Sequence, residues 1–118
     1  MHPWLSRLRH DLVKRAVWAA RDVRDAAREP RPGDVAELRR GLFDLRDGEG
    51  RMVDAAALWE RLRADAPGVP AAALDAFGAA VADAQRAVAG TSDSRGALDA
   101  VLRIEQSFAD LARTLEEE

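Results

Sequence analysis

The densest cluster of side chains that could do chemistry in this chain is acidic. Asp44, Asp47, Glu49 and Asp54 surround the segment Asp47-Gly48-Glu49-Gly50, an arrangement that invites a calcium reading. An EF-hand loop needs oxygen ligands at loop positions one, three and five and a glycine at six. Setting Gly50 as that glycine puts Leu45 where the first ligand belongs. The spacing fails, and helix caps and turns explain these acids better.

The other candidates thin out in the same way. His2 and His10 are the two histidines, and neither stands in the Glu-x-x-His pattern of helical di-metal sites. Ser6, Ser92, Ser94 and Ser107 lack a nucleophile-elbow motif that would pair a hydroxyl with an imidazole. Gly90-Thr-Ser-Asp-Ser-Arg-Gly96 is glycine-bounded and precedes a helix, as phosphate loops do. It lacks the Gly-Lys-Ser/Thr ending, and Asp93 would repel a phosphate. Lys14, the single lysine, lies on a solvated cationic stretch rather than in an apolar setting that would lower its pKa. With no cysteine, disulfides and thiolate metal sites are excluded. No catalytic constellation and no cofactor or metal motif is legible.

What the sequence does specify is the frame. Leu74, Phe77, Val81, Ala84 and Val88 recur in steps of three and four, as do Ala97, Val101, Ile104, Phe108, Leu111 and Leu115. Each ladder lines one side of a helix that must be buried against another. The first helix is expected from Pro3 to about Arg28, stopped by Pro30 and Pro32, with a stripe of Leu5, Leu8, Leu12, Ala16, Ala19, Val23 and Ala26. Val13, Val17 and Ala20 widen that stripe on one flank. Asp34 and Glu37 have capping-box spacing at the start of a second helix carrying Val35, Leu38, Leu42 and Leu45, which should fail at Asp47-Gly48. Asp54 caps a shorter third helix with Ala55, Leu58, Trp59, Leu62 and Ala66 on one side, and Val53 with Leu58 is placed for a hydrophobic staple. A fourth helix spans about 70–89 and holds Gly78, and a fifth runs to about Leu115, its start capped from among Thr91, Ser92, Asp93 and Ser94. Helices four and five suit an αα-hairpin. Strand signals and internal repeats are absent. The fold class is therefore all-α: a single domain, residues 1–118, forming an antiparallel helical bundle of four main helices plus one shorter helix.

Charge is uneven. Residues 1–32 carry eight Arg and Lys against four acids, 33–66 six against eight, and 67–118 four against nine, giving the net −3. An acidic total argues against nonspecific binding to nucleic acid. The N-terminal helix has Trp4, an apolar stripe and seven bases, as an interfacial membrane anchor would, but Asp11, Asp22, Asp25 and Glu29 interleave with those bases. No apolar run approaches the ~20 residues of a membrane span, and the first residues lack a signal core, so the expected location is cytoplasmic.

Two features exceed what a simple core needs. Trp18 lies more than about 90° around the first helix from its apolar stripe, beside Asp11, Lys14, Asp22 and Asp25, with Trp4 on the same flank. The fifth helix has a second apolar row of Leu98, Leu102 and Ala109. Exposed tryptophan is enriched at binding hot spots. The expected function is thus a noncatalytic protein–protein interaction module, a homodimer or a helical subunit or adaptor of a larger assembly, with Trp4, Trp18, Leu98 and Leu102 as the partner-binding residues. One alternative is a small DNA-binding regulator using Arg39, Arg40, Arg61 and Arg63 on a loose helix-turn-helix. Another is a bundle holding an apolar ligand or cofactor in a cavity lined by Trp59, Phe77 and Phe108.

Overall fold

The computed structural model describes residues 2–90 and 93–116. It is an all-α fold, with only a two-residue β-pairing besides its helices. The first rod begins as α1 (Pro3–Leu8), passes through a π-helical turn (Arg9–Val13) and continues as α2 (Lys14–Asp25). Pro3 stands in the first turn, where its missing N–H costs nothing, and the His2 ring nitrogen Nδ1 accepts from the Trp4 amide at 3.0 Å.

The π turn has a direct consequence for burial. Its closing bond runs from the Lys14 amide to the Arg9 carbonyl, one residue further than an α-helical bond. One residue added to a turn shifts the downstream face by about 100°. Leu5, Leu8, Leu12, Ala16 and Val23 are buried as the spacing predicts, but Val13, Val17 and Ala20 join them in full. Ala19 is only half-buried and Ala26 is exposed. The stripe therefore veers toward the flank that the sequence treats as secondary.

The rod ends earlier than Arg28. Ala27 adopts the left-handed conformation, φ 53°, just past the end of α2. That turn sends Arg28 toward Asp34, whose two carboxylate oxygens receive its guanidinium at 2.6 and 2.7 Å. Helix α3 (Pro32–Phe43) starts at Pro32, so Asp34 sits in its first turn and accepts from the Arg31 amide at 2.8 Å. Asp34 is therefore not paired with Glu37 in a capping box; Glu37 pairs with Arg40 instead. The Arg28 guanidinium, then the Arg31 amide, hold the Asp34 carboxyl down at about 2.

Helix α3 stops at Phe43, sooner than the glycines suggest, and Leu45 is buried from a strand instead of from the helix. β1 (Leu45–Arg46) pairs antiparallel with β2 (Met52–Val53), Leu45 opposite Val53. The glycine-bearing acids make the turn between them. Asp47 Oδ1 accepts from the Glu49 and Arg51 amides at 2.9 and 3.0 Å, its Oδ2 from Arg61 at 3.0 Å, and Gly50 takes the positive φ of 80°. The Arg51 amide and then the Arg61 guanidinium lower the Asp47 carboxyl to about 2. This hairpin corrects the expectation of no strand; two residues per strand are too few for periodicity to register.

Helix α4 (Ala55–Ala64) is capped as expected, Asp54 accepting from the Ala57 amide at 2.8 Å. Helix α5 (Ala71–Ala89) buries Leu74, Phe77, Val81, Ala84 and Val88, the full ladder. Helix α6 (Ser94–Glu116) follows Asp93, whose side chain accepts from Gly96 N at 2.9 Å, so Asp93 is the described cap. Thr91 and Ser92, the other capping candidates, lie outside the described residues. α5 and α6 form the most extensive helix pair, the αα-hairpin of the sequence reading, and α6 also packs on α2 and α3. The first rod, α3, α5 and α6 thus enclose one continuous core, with α4 closing its α1 end. Gly41 permits the closest approach within it: a Cβ there would lie 2.7 Å from Ala16 N, so α3 and α2 meet backbone to backbone.

Candidate functional site

Several of the residues with chemical potential have structural jobs. His10 Nδ1 meets Asp11 Oδ1 at 2.9 Å on the exterior, and His2 caps α1. Asp47 and Asp54 shape a turn and a helix start. No group of three or more His, Cys, Asp or Glu side chains is placed to hold a metal among the described residues. The four arginines of the DNA-binding alternative are all engaged within the chain. Arg39 donates to Val88 O at 2.9 and 3.2 Å, Arg61 to Asp47, Arg63 to Asp75 at 2.6 Å, and Arg40 to Glu37. No helix among the described residues is long and apolar enough to cross a membrane.

The expected contact residues divide sharply. Trp4 is buried, at 5% exposure: its indole Nε1 donates to Leu62 O at 2.7 Å, and its ring lies 6.3 Å from that of Trp59. Leu98 is likewise inside the core at 2% exposure, and Leu102 packs partly buried against it. These positions correct the sequence expectation of a shared outward face. Trp4 is covered because α4 brings Trp59 and the Leu62 carbonyl against it, and Leu98 because α6 touches three helices rather than one. Trp59 and Phe77 meet at a 53° tilt with ring centres 4.7 Å apart, whereas Phe108 lies elsewhere, so the three do not enclose one cavity.

Trp18 remains outside, at 50% exposure. The π turn accounts for its separation from Trp4. Fourteen residues along an unbroken α-helix would leave the two side chains about 40° apart, and the added residue swings them onto different faces. Beside the indole runs a groove of about 230 Å³ between α2 and the second half of α6. Val13, Val17, Phe108 and Ala109 supply its apolar wall, and Arg9, Lys14, Arg21 and Glu105 its charged rim. Glu105 is shared by Arg21 and Arg24, both at 3.6 Å. Lys14 Nζ stands 4.9 Å from the Trp18 ring centroid, a cation–π contact. A second, more open depression beside the indole sets Lys14 and Arg15 against Asp11 and Asp22, and a third sets Arg9 and Arg21 against Asp22 and Asp25. The indole therefore stands among three hollows whose rims carry both signs of charge.

Sequence spacing identified Trp18 but missed Arg9, Val13, Val17 and Phe108 as its neighbours. The available signal was the run of apolar doublets Leu12-Val13, Ala16-Val17 and Ala19-Ala20, too wide a stripe for one uninterrupted helical face.

No protein-family model, curated protein or solved structure matches this chain.

Proposed function

We propose that this protein is a noncatalytic interaction module that docks another polypeptide over Trp18 and the groove between α2 and α6. The observation that carries the reading is the half-exposed indole, a large apolar surface that this fold leaves uncovered beside an apolar wall. Tryptophan flanked by arginine is the usual composition of a binding hot spot. The proposal narrows the expected surface to Trp18, with Leu102 at most peripheral, and takes Trp4 and Leu98 as scaffold. The cytoplasmic placement belongs to the same proposal and rests on the sequence alone.

The test compares the wild-type chain with Trp18→Ala, first by light-scattering mass and then by co-purification from the native source. A partner, or a self-associated species, that disappears in Trp18→Ala is the expected result. A strictly monomeric protein whose Trp18→Ala variant retrieves every native partner normally would refute the assignment.

A further inference from the structure

Helix α4 differs from the rest of the bundle in how it is held. The first rod, α3, α5 and α6 enclose the core by themselves, and α4 only closes one end of it. Ten residues are too few for a helix to persist alone in water, so α4 depends on its seat. That seat is apolar: Ala55, Leu58, Trp59 and Leu62 are buried. Its centre nevertheless holds a flaw. The Trp59 indole Nε1 has no acceptor among the described residues and is shut off from solvent. It lies against the bare Gly78 position of α5, where a Cβ would stand only 2.8 Å away. A buried donor without a partner has lost its hydration and gained nothing in return, a penalty that ends once water reaches it.

The polar ties of α4 to the other rods are of a kind that water replaces readily. Arg7 meets Asp65 at 3.3 Å and Arg63 meets Asp75 at 2.6 Å, both at the surface, where ion pairs contribute little. Trp4 Nε1 donates to Leu62 O, but that carbonyl also accepts from the Asp65 amide at 3.1 Å and keeps a partner when Trp4 is lost. Arg61 ties α4 to Asp47 of the adjoining hairpin, not to another rod. On the other side of α4, residues 65–70, including Pro67, Gly68 and Pro70, form neither helix nor strand. Segments held in this way open locally at less cost than the whole fold.

We propose that α4 is a clasp that opens as one unit while the four rods stay folded, hydrating the Trp59 indole and baring Trp4 and Phe77. Those two rings are the ones that Trp59 meets in the closed state, with centres 6.3 and 4.7 Å away. The opening is independent of docking at Trp18, which is exposed with α4 in place.

The test is native-state amide exchange of the full-length protein, followed by NMR at rising, sub-denaturing urea. The amides of α4 should share one opening, with protection about tenfold or more below that of Phe77, Val81 and Ile104 and a smaller urea dependence than global unfolding. Gly78→Ala sharpens the result. The added methyl presses on the indole and favours the open clasp, while alanine strengthens α5 as a helix whether the clasp is open or shut. Protection in α4 should therefore fall about tenfold further relative to α5. Amides of α4 that match α5 and α6 in protection and urea dependence would overturn the proposal, as would site-by-site exchange in α4 with no urea dependence. A Gly78→Ala variant that folds and shifts α4 and α5 equally would also overturn it; if that variant does not fold, the wild-type profile decides.

Discussion

The two ends of the first rod carry the same side chain to opposite fates. Trp4 is enclosed, hydrogen-bonded through its indole nitrogen and close to Trp59, which meets Phe77 at a tilt. Trp18, on the same rod, keeps half its surface in solvent beneath a lysine ammonium. Position along a helix sets only an angle; burial is decided by which neighbour occupies that angle. Here α4 covers the Trp4 side, and nothing among the described residues covers the other.

Truncations should expose this contrast most strongly. Phe77→Ala or Trp59→Ala removes a fully enclosed ring and should cost about 3–5 kcal/mol in urea unfolding, whereas Trp18→Ala should stay within about 1 kcal/mol. Equal losses at Phe77 and Trp18 would contradict the division between scaffold and surface. Gly41→Ala probes the seam beneath the rod. An added methyl would press on the Ala16 backbone, and overpacking of this kind costs roughly 1–3 kcal/mol. A neutral Gly41→Ala would mean that α2 and α3 stand further apart than described.

A finer comparison sets two enclosed indoles against each other. Trp4 Nε1 has an acceptor, but Trp59 Nε1 has none among the described residues, facing α5 at Gly78. Trp4→Phe removes a hydrogen bond that is made, leaving Leu62 O with the Asp65 amide alone, so it should be the costlier change by about 1 kcal/mol; Trp59→Phe removes an unsatisfied donor. Thermal melts of the pair decide the order.

The smallest expected effect is the pH dependence set by Asp34 and Asp47. Both carboxyls are held at about 2 in the folded protein, below the roughly 3.9 of a free aspartate. Folded values beneath unfolded ones contribute stability that is complete above about pH 4 and lost as pH falls toward 2. Melting temperature should decline through that window, and Asp34→Asn or Asp47→Asn should flatten the decline. An unchanged slope in both variants would remove these groups from the account.

Much of this architecture was legible beforehand. The ladder of α5 is buried in full, and that of α6 at Ala97, Val101, Ile104 and Leu111, with Phe108 and Leu115 only partly covered. Asp54 and the region around Pro70 work as local chemistry requires. What escaped prediction depends on contacts between distant segments. The left-handed turn at Ala27 accompanies the clamp of Arg28 on Asp34, and the hairpin is too short for a pattern. The π turn hides in sequence that an ordinary helix would also accept. The proposed docking surface was half legible for that last reason: periodicity marked Trp18 as outlying, but it could not show Trp4 turning inward or Phe108 turning toward the groove.

One supernumerary residue in the Arg9–Val13 turn thus gives the rod two independent bearings. Under the proposed docking function, amino-acid changes along the outer bearing retune recognition while the inner one keeps its footing against α4. A lineage of such chains could diversify its choice of companions without renegotiating how it folds.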